Sequence, residues 1–197
     1  MPNQVDDVMY DPMEWEKKRS AFLDTVIVHE GGYVDNKKDP GGKTKYGISQ
    51  KQYPDLDIKN LEVEDAKTIY KRKGGELSSA ETNYGKNEFA LKMADIGINA
   101  GPQIGTEIMQ RSLNTLSRWY SIDDIDLDED GKMGASTRSA FNKVIENPDN
   151  RKQLMTLIVQ NQKAFYAGEE FNTKTVSKEK VEAFGAGWET RANYRGI

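Results

Sequence analysis

Val26 to Ser49 read VIVHEGGYVDNKKDPGGKTKYGIS, an apolar helical run that ends on Glu30 and meets two glycines at once. Glu30 falls three residues after Ile27 and four after Val26, so it continues an apolar helix face. A carboxyl so placed is partly desolvated, which raises its pKa and lets it hold a proton near neutral pH. A general acid for a glycosidic oxygen needs that property. The competing reading has Glu30 fraying into water at the helix end. Asp39 and Thr44 follow within fourteen residues. Taken alone, Asp39-Pro40-Gly41-Gly42 is ordinary turn chemistry and Thr44 an ordinary strand residue.

Absent residue types narrow the chemistry further. The chain has no cysteine and one histidine, His29. Thiol nucleophiles and disulfides are excluded, and a zinc site lacks its usual ligands. A Ser-His-Asp triad would have to use His29. Adjacent helix positions point about 100° apart, so His29 is expected to pack rather than share the site of Glu30. Carboxylates supported by hydroxyls remain, and paired carboxylates cleave glycosidic bonds.

The net charge of −4 gives no basic field for nucleic acid. No apolar run reaches the roughly 20 residues that span a bilayer, so membrane insertion is not expected. The first residues, MPNQVDDVMYDPMEWEKK, carry neither the basic nor the apolar region of a secretory signal. The expectation is synthesis in the cytoplasm, with something else letting the protein out.

Positioning falls to helices. Apolar periodicity predicts them over 14–30, 61–73, 87–99, 102–117, 135–146, 149–168 and 177–191. Asn60 is the expected cap of the second, and Gly31-Gly32 the stop of the first. Residues 33–58 read as a loop with a small β-hairpin at TKYGIS, and GGELSSAETNYG reads as a linker. The fold class is mainly α with one small β-hairpin, in one domain or a domain with an annex.

The Glu30–Ser49 stretch resembles the active-site signature of glycoside hydrolase family 108, in the lysozyme superfamily. The matching residues are Glu30-Gly31-Gly32-Tyr33, Asp39-Pro40-Gly41-Gly42, Thr44 and Gly47-Ile48-Ser49. DIGINAGP (95–102) is similar to a second landmark of the family. MQRSLN (109–114), DGKMGASTRSAF (130–141) and FGAGWETR (184–191) are similar to its C-terminal, peptidoglycan-binding part. YKRKGGEL departs from it, because relatives place a Tyr-Trp pair there.

The resemblance implies a lysozyme-like helical fold with the hairpin at the active-site cleft. It also implies a catalytic region over 1–90 and a peptidoglycan-binding region over 91–197, packed as one globular unit. The implied activity is that of an endolysin-type N-acetylmuramidase, cleaving the β-1,4 bond between N-acetylmuramic acid and N-acetylglucosamine. Glu30 would be its acid, Asp39 its charge-stabilising or water-activating partner, and Thr44 its water-positioning hydroxyl. Tyr33, Asp95 and Asn99 are the substrate-binding candidates; Tyr33 could equally plug the loop against the core, and Asp95 could cap or bridge helices. The expected partner is the peptidoglycan glycan strand, met by a monomer after release through a holin or a secretion system.

No cofactor is required by this chemistry. Asp126, Asp128 and Asp130, followed by Gly131, copy the opening of a calcium loop, but position twelve is Thr137 rather than glutamate. A hydrated acidic turn is the plainer reading and calcium the minority one. Three rival functions stand beside the muramidase. A lytic transglycosylase would break the same bond without water, a non-catalytic wall binder would need no acid, and a calcium-regulated interaction protein would use the acidic loop.

Overall fold

The computed structural model describes residues 11–35, 42–72 and 75–171. Their element order is α1 (Pro12–Glu30), β1 (Val34–Asp35), β2 (Lys43–Lys45), β3 (Ile48–Ser49), α2 (Val63–Lys71), α3 (Glu76–Tyr84), α4 (Glu88–Ala100), α5 (Pro102–Tyr120), α6 (Ala135–Ile145) and α7 (Pro148–Tyr166). The chain is mostly helical with one small antiparallel sheet, ordered β1-β2-β3. It divides into two compact units, with the division inside α3, between Ser79 and Ala80.

In the unit of residues 11–79, α1 starts on a built cap. Asp11 accepts hydrogen bonds from the Met13 and Glu14 amides, and Pro12 takes the first turn, where a missing N–H costs nothing. Trp15, Phe22, Leu23, Val26 and Ile27 form its buried stripe. Each such side chain contributes about 1.5–3 kcal/mol by leaving water. Lys67 of α2 holds Asp24 of α1 at 2.7 Å and its own Glu64 at 2.9 Å. Those two carboxylates, Asp24 first, push the Lys67 ammonium above its ordinary pKa.

The hairpin has the shortest connection a sheet allows. Tyr46 (φ 53°) and Gly47 (φ 75°) are both left-handed, the backbone of a type I′ turn. Its arms pair Lys45 with Ile48 and Thr44 with Ser49, while β1 adds Val34 opposite Thr44 and Asp35 opposite Lys43. After β3, the Gln50 side chain donates to the carbonyls of Tyr53, Pro54 and Leu56 and so winds the following loop around itself.

In the unit that begins at Ala80, every regular element of the described part is a helix. Phe141 receives Phe89 and Tyr84 edge-on at 5.2 and 5.4 Å. The guanidinium of Arg151 forks onto both oxygens of Glu88 at 2.7 Å, tying the first turn of α7 to that of α4. Burial pushes the Tyr84 phenol up to about 12.

Three expectations need correction. GGELSSAETNYG is not a linker: its greater part is α3. Leu77, Ala80 and Tyr84, spaced three and four apart, are buried along one side, and that stripe outweighs the glycines, serines and threonine around it. Asn60 does not cap α2. Glu62 holds that position, with its amide donating to Asp65, while Asn60 closes a turn on the carboxylate of Asp57. The Asn60 side chain, first among several donors, holds the Asp57 pKa below the usual range. His29, expected to pack, is exposed beside Val28 on the outer side of α1. The helix expected over 177–191 lies outside the described residues.

Candidate active site

Glu30 is the last residue of α1, and Gly31 ends the helix with φ 73°, a conformation that favours glycine. The Glu30 side chain and the whole of Asp39 lie outside the described part. Thr44 is the middle residue of β2 and half-buried. Its hydroxyl donates to the Gly42 carbonyl at 3.4 Å. A contact that long is weak and readily exchanged for a water or a substrate hydroxyl.

Two hydrogen bonds hold the hairpin of Thr44, one on the end of α1 and one on α2. The Tyr46 amide donates to the Gly31 carbonyl at 3.2 Å, one residue beyond Glu30. The Tyr46 carbonyl in turn accepts from the hydroxyl of Tyr70, buried in α2, at 2.9 Å. The turn residue of the hairpin is thus held on both of its backbone groups. Sequence reading passed over Tyr46 and Tyr70. A Tyr-Gly pair between β-prone residues was the available signal for the turn; nothing marked its partner in α2.

Tyr33 is half-buried, and its hydroxyl donates to Asp35 at 3.3 Å. Partial desolvation first, and then the Asp35 carboxylate, push its phenol above the ordinary value. Asp95 is only 4% exposed. Gln162 of α7 donates to one of its oxygens at 3.5 Å, and Asn99 donates to its carbonyl at 2.7 Å and to its other oxygen at 3.4 Å. Asp95 therefore links α4 to α7.

The acidic segment is a clamped loop. Along α5, Gln110, Asn114 and Ser117 repeat at four and three residues, a buried polar stripe on one helix side. Gln110 donates to Asp130, to the Lys132 carbonyl and to Thr137, and accepts from the Gly131 amide. Asn114 exchanges two 2.9 Å bonds with the backbone of Leu127. Ser117 donates toward the carbonyls of Ile122 and Ile125. Gly131 (φ 71°) sits so close to Gln103 that a Cβ would lie 2.7 Å from its carbonyl oxygen. In the sequence MQRSLN and DGKMGASTRSAF stood out only by resemblance, and nothing in either declared that they pair.

The three aspartates of that loop are not gathered. Asp126 and Asp128 are exposed, while one oxygen of Asp130 receives both Gln110 and the Lys132 amide. The Gln110 bond, first among several causes, holds the Asp130 carboxyl below its usual range. Among the described residues no three His, Cys, Asp or Glu side chains are arranged to hold a metal ion.

A family model described as glycosyl hydrolase 108 matches residues 23–101. Among solved structures, the chain is similar to SagA of Brucella abortus, at 23% identity over 90% of each chain and a TM-score of 0.61. That likeness carries the lysozyme-like fold. No curated protein matches the chain. The family match spans the end of α1, the sheet and α2, the elements that hold the hairpin in place, and over those residues the chain is similar to glycosyl hydrolase 108.

Proposed function

We propose that the protein is an N-acetylmuramidase that hydrolyses the β-1,4 bond between N-acetylmuramic acid and N-acetylglucosamine, with Glu30 as general acid. The observation that carries this reading is the double tie on Tyr46, which sets the strand of Thr44 against the helix end that bears Glu30. The Glu30 carboxyl gives its proton to the glycosidic oxygen as the bond from the anomeric carbon breaks. Asp39 faces the positive charge that grows on the sugar or takes the proton of the incoming water. Thr44 positions that water, which adds to the anomeric carbon and leaves a reducing muramic acid end.

No metal or cofactor takes part in these steps. The protein works as a monomer on glycan strands of the bacterial wall, after release from the cell. Residues 1–90 carry the chemistry, and 91–197 serve attachment to the same polymer.

Substitution at the three positions tests the assignment. Asp39→Ala should cost more activity than Thr44→Ala, and both should keep the melting temperature of the wild type. A fully active Asp39→Ala that releases anhydro-muramic ends would hand the protein to the transglycosylases.

A further inference from the structure

The register of the sheet separates two rows of side chains. Residues directly opposite one another in antiparallel strands project to the same side. Val34, Thr44 and Ser49 therefore form one row across all three strands. Asp35, Lys43, Lys45 and Ile48 project to the other side. On that second side Ile48 is 1% exposed and anchors the hairpin in the core, while Asp35 and Lys43 at its other end are exposed. In the row of Thr44, Val34 is 56% exposed and Thr44 and Ser49 are each half-buried, with no core residue among them.

Within that row, Thr44 and Ser49 are the non-hydrogen-bonded pair of the hairpin, because Lys43 and Lys45 carry the flanking bonded pairs. Side chains approach most closely at such pairs. The Ser49 hydroxyl oxygen accepts the Gln52 amide at 3.3 Å, which orients it and leaves its proton to donate elsewhere. An exposed branched apolar side chain and two neighbouring hydroxyls thus lie in a line of about 10 Å across three strands. An N-acetylhexosamine matches that line, with hydroxyls to bind and an acetamido methyl to cover.

We propose that Val34 and Ser49 are substrate-binding residues that extend the Thr44 position into a subsite for one N-acetylhexosamine of the glycan. Ser49 hydrogen-bonds a polar group of the sugar, and Val34 packs against its acetamido methyl. The assignment rests on the muramidase reading, which makes Thr44 face the substrate.

The test uses the full chain with Glu30→Gln, titrated calorimetrically with a tetrasaccharide of alternating N-acetylglucosamine and N-acetylmuramic acid. Adding Ser49→Ala should weaken binding about tenfold, the loss of one hydrogen bond, while Ser49→Thr restores it. Val34→Ala should weaken binding severalfold. Amide shifts of Val34, Thr44 and Ser49 on titration, larger than those of Asp35, Lys45 and Ile48, provide a readout even where a variant loses stability. Unchanged affinity in both alanine variants, or shifts confined to the row of Ile48, overturns the subsite while leaving the muramidase reading intact. A parent that binds no tetrasaccharide, alongside a wild type that releases nothing from peptidoglycan, overturns both.

Discussion

The Tyr70 hydroxyl and the Tyr46 carbonyl, 24 residues apart in sequence, meet at 2.9 Å and join the turn between β2 and β3 to α2. Tyr46 occupies a left-handed conformation that a bulky residue rarely adopts, and this bond helps hold it there. Tyr70→Phe should therefore destabilise by about 1–2 kcal/mol, the cost of a lost buried hydrogen bond. It should lower kcat more than it raises KM, because the hairpin loses its set position rather than its binding groups. Thermal melts and kinetics on purified peptidoglycan check both; wild-type kcat in a folded Tyr70→Phe would remove the tie from the account of the site.

Gly131→Ala should be among the most damaging single changes outside the active site. The left-handed backbone and a Cβ at 2.7 Å from the Gln103 carbonyl act together, for roughly 2–4 kcal/mol. A fall in melting temperature of roughly 5–15 °C is expected, with the same muropeptide products from whatever stays folded. A melt that matches the wild type would contradict the close approach.

Acid should reveal the bond between Asp130 and Gln110. The folded protein holds this carboxyl below its ordinary pKa, so the ionised form is the one the fold favours. Its contribution is complete above the unfolded value, about 3.9, and disappears as pH falls through the lower, folded one. The melting temperature of Asp130→Ala should lie below that of the wild type by a constant amount from pH 5 to 7. The gap should close as pH drops below 4; a gap that widens there contradicts the direction of the shift.

Calcium should leave the protein unchanged. Thr137, at the position where a calcium loop places its glutamate, is buried and accepts from Gln110, and Asp130 is engaged by the same side chain. Melting curves in chelator and in millimolar calcium should coincide, with no calorimetric heat of binding. A stabilisation that grows with calcium concentration would restore the metal reading of Asp126, Asp128 and Asp130.

What was legible in the sequence follows the physics of each signal. Local periodicity announced α1, α4, α5, α6 and α7, because their buried residues recur at helical spacing within one segment. The β-prone run TKYGIS announced the hairpin, although its Tyr46-Gly47 turn was passed over. The α3 helix was hidden because its stripe of Leu77, Ala80 and Tyr84 is set among residues typical of loops. Contacts between distant segments left no local trace. Gln110 with Gly131, Asn114 with Leu127, and Tyr70 with Tyr46 pair residues 13 to 24 positions apart, and neither partner declares the other. The row of Val34, Thr44 and Ser49 required the strand register, which composition does not encode.

The most direct measurement of the central claim is mass spectrometry of the muropeptides that the wild type and Glu30→Gln release from purified peptidoglycan. An amide keeps the shape of Glu30 but has no proton to give to the glycosidic oxygen. The account predicts reducing N-acetylmuramic acid ends from the wild type and no release from a Glu30→Gln protein with an unchanged melt. Release by Glu30→Gln at the wild-type rate, or anhydro-muramic ends from the wild type, would contradict it.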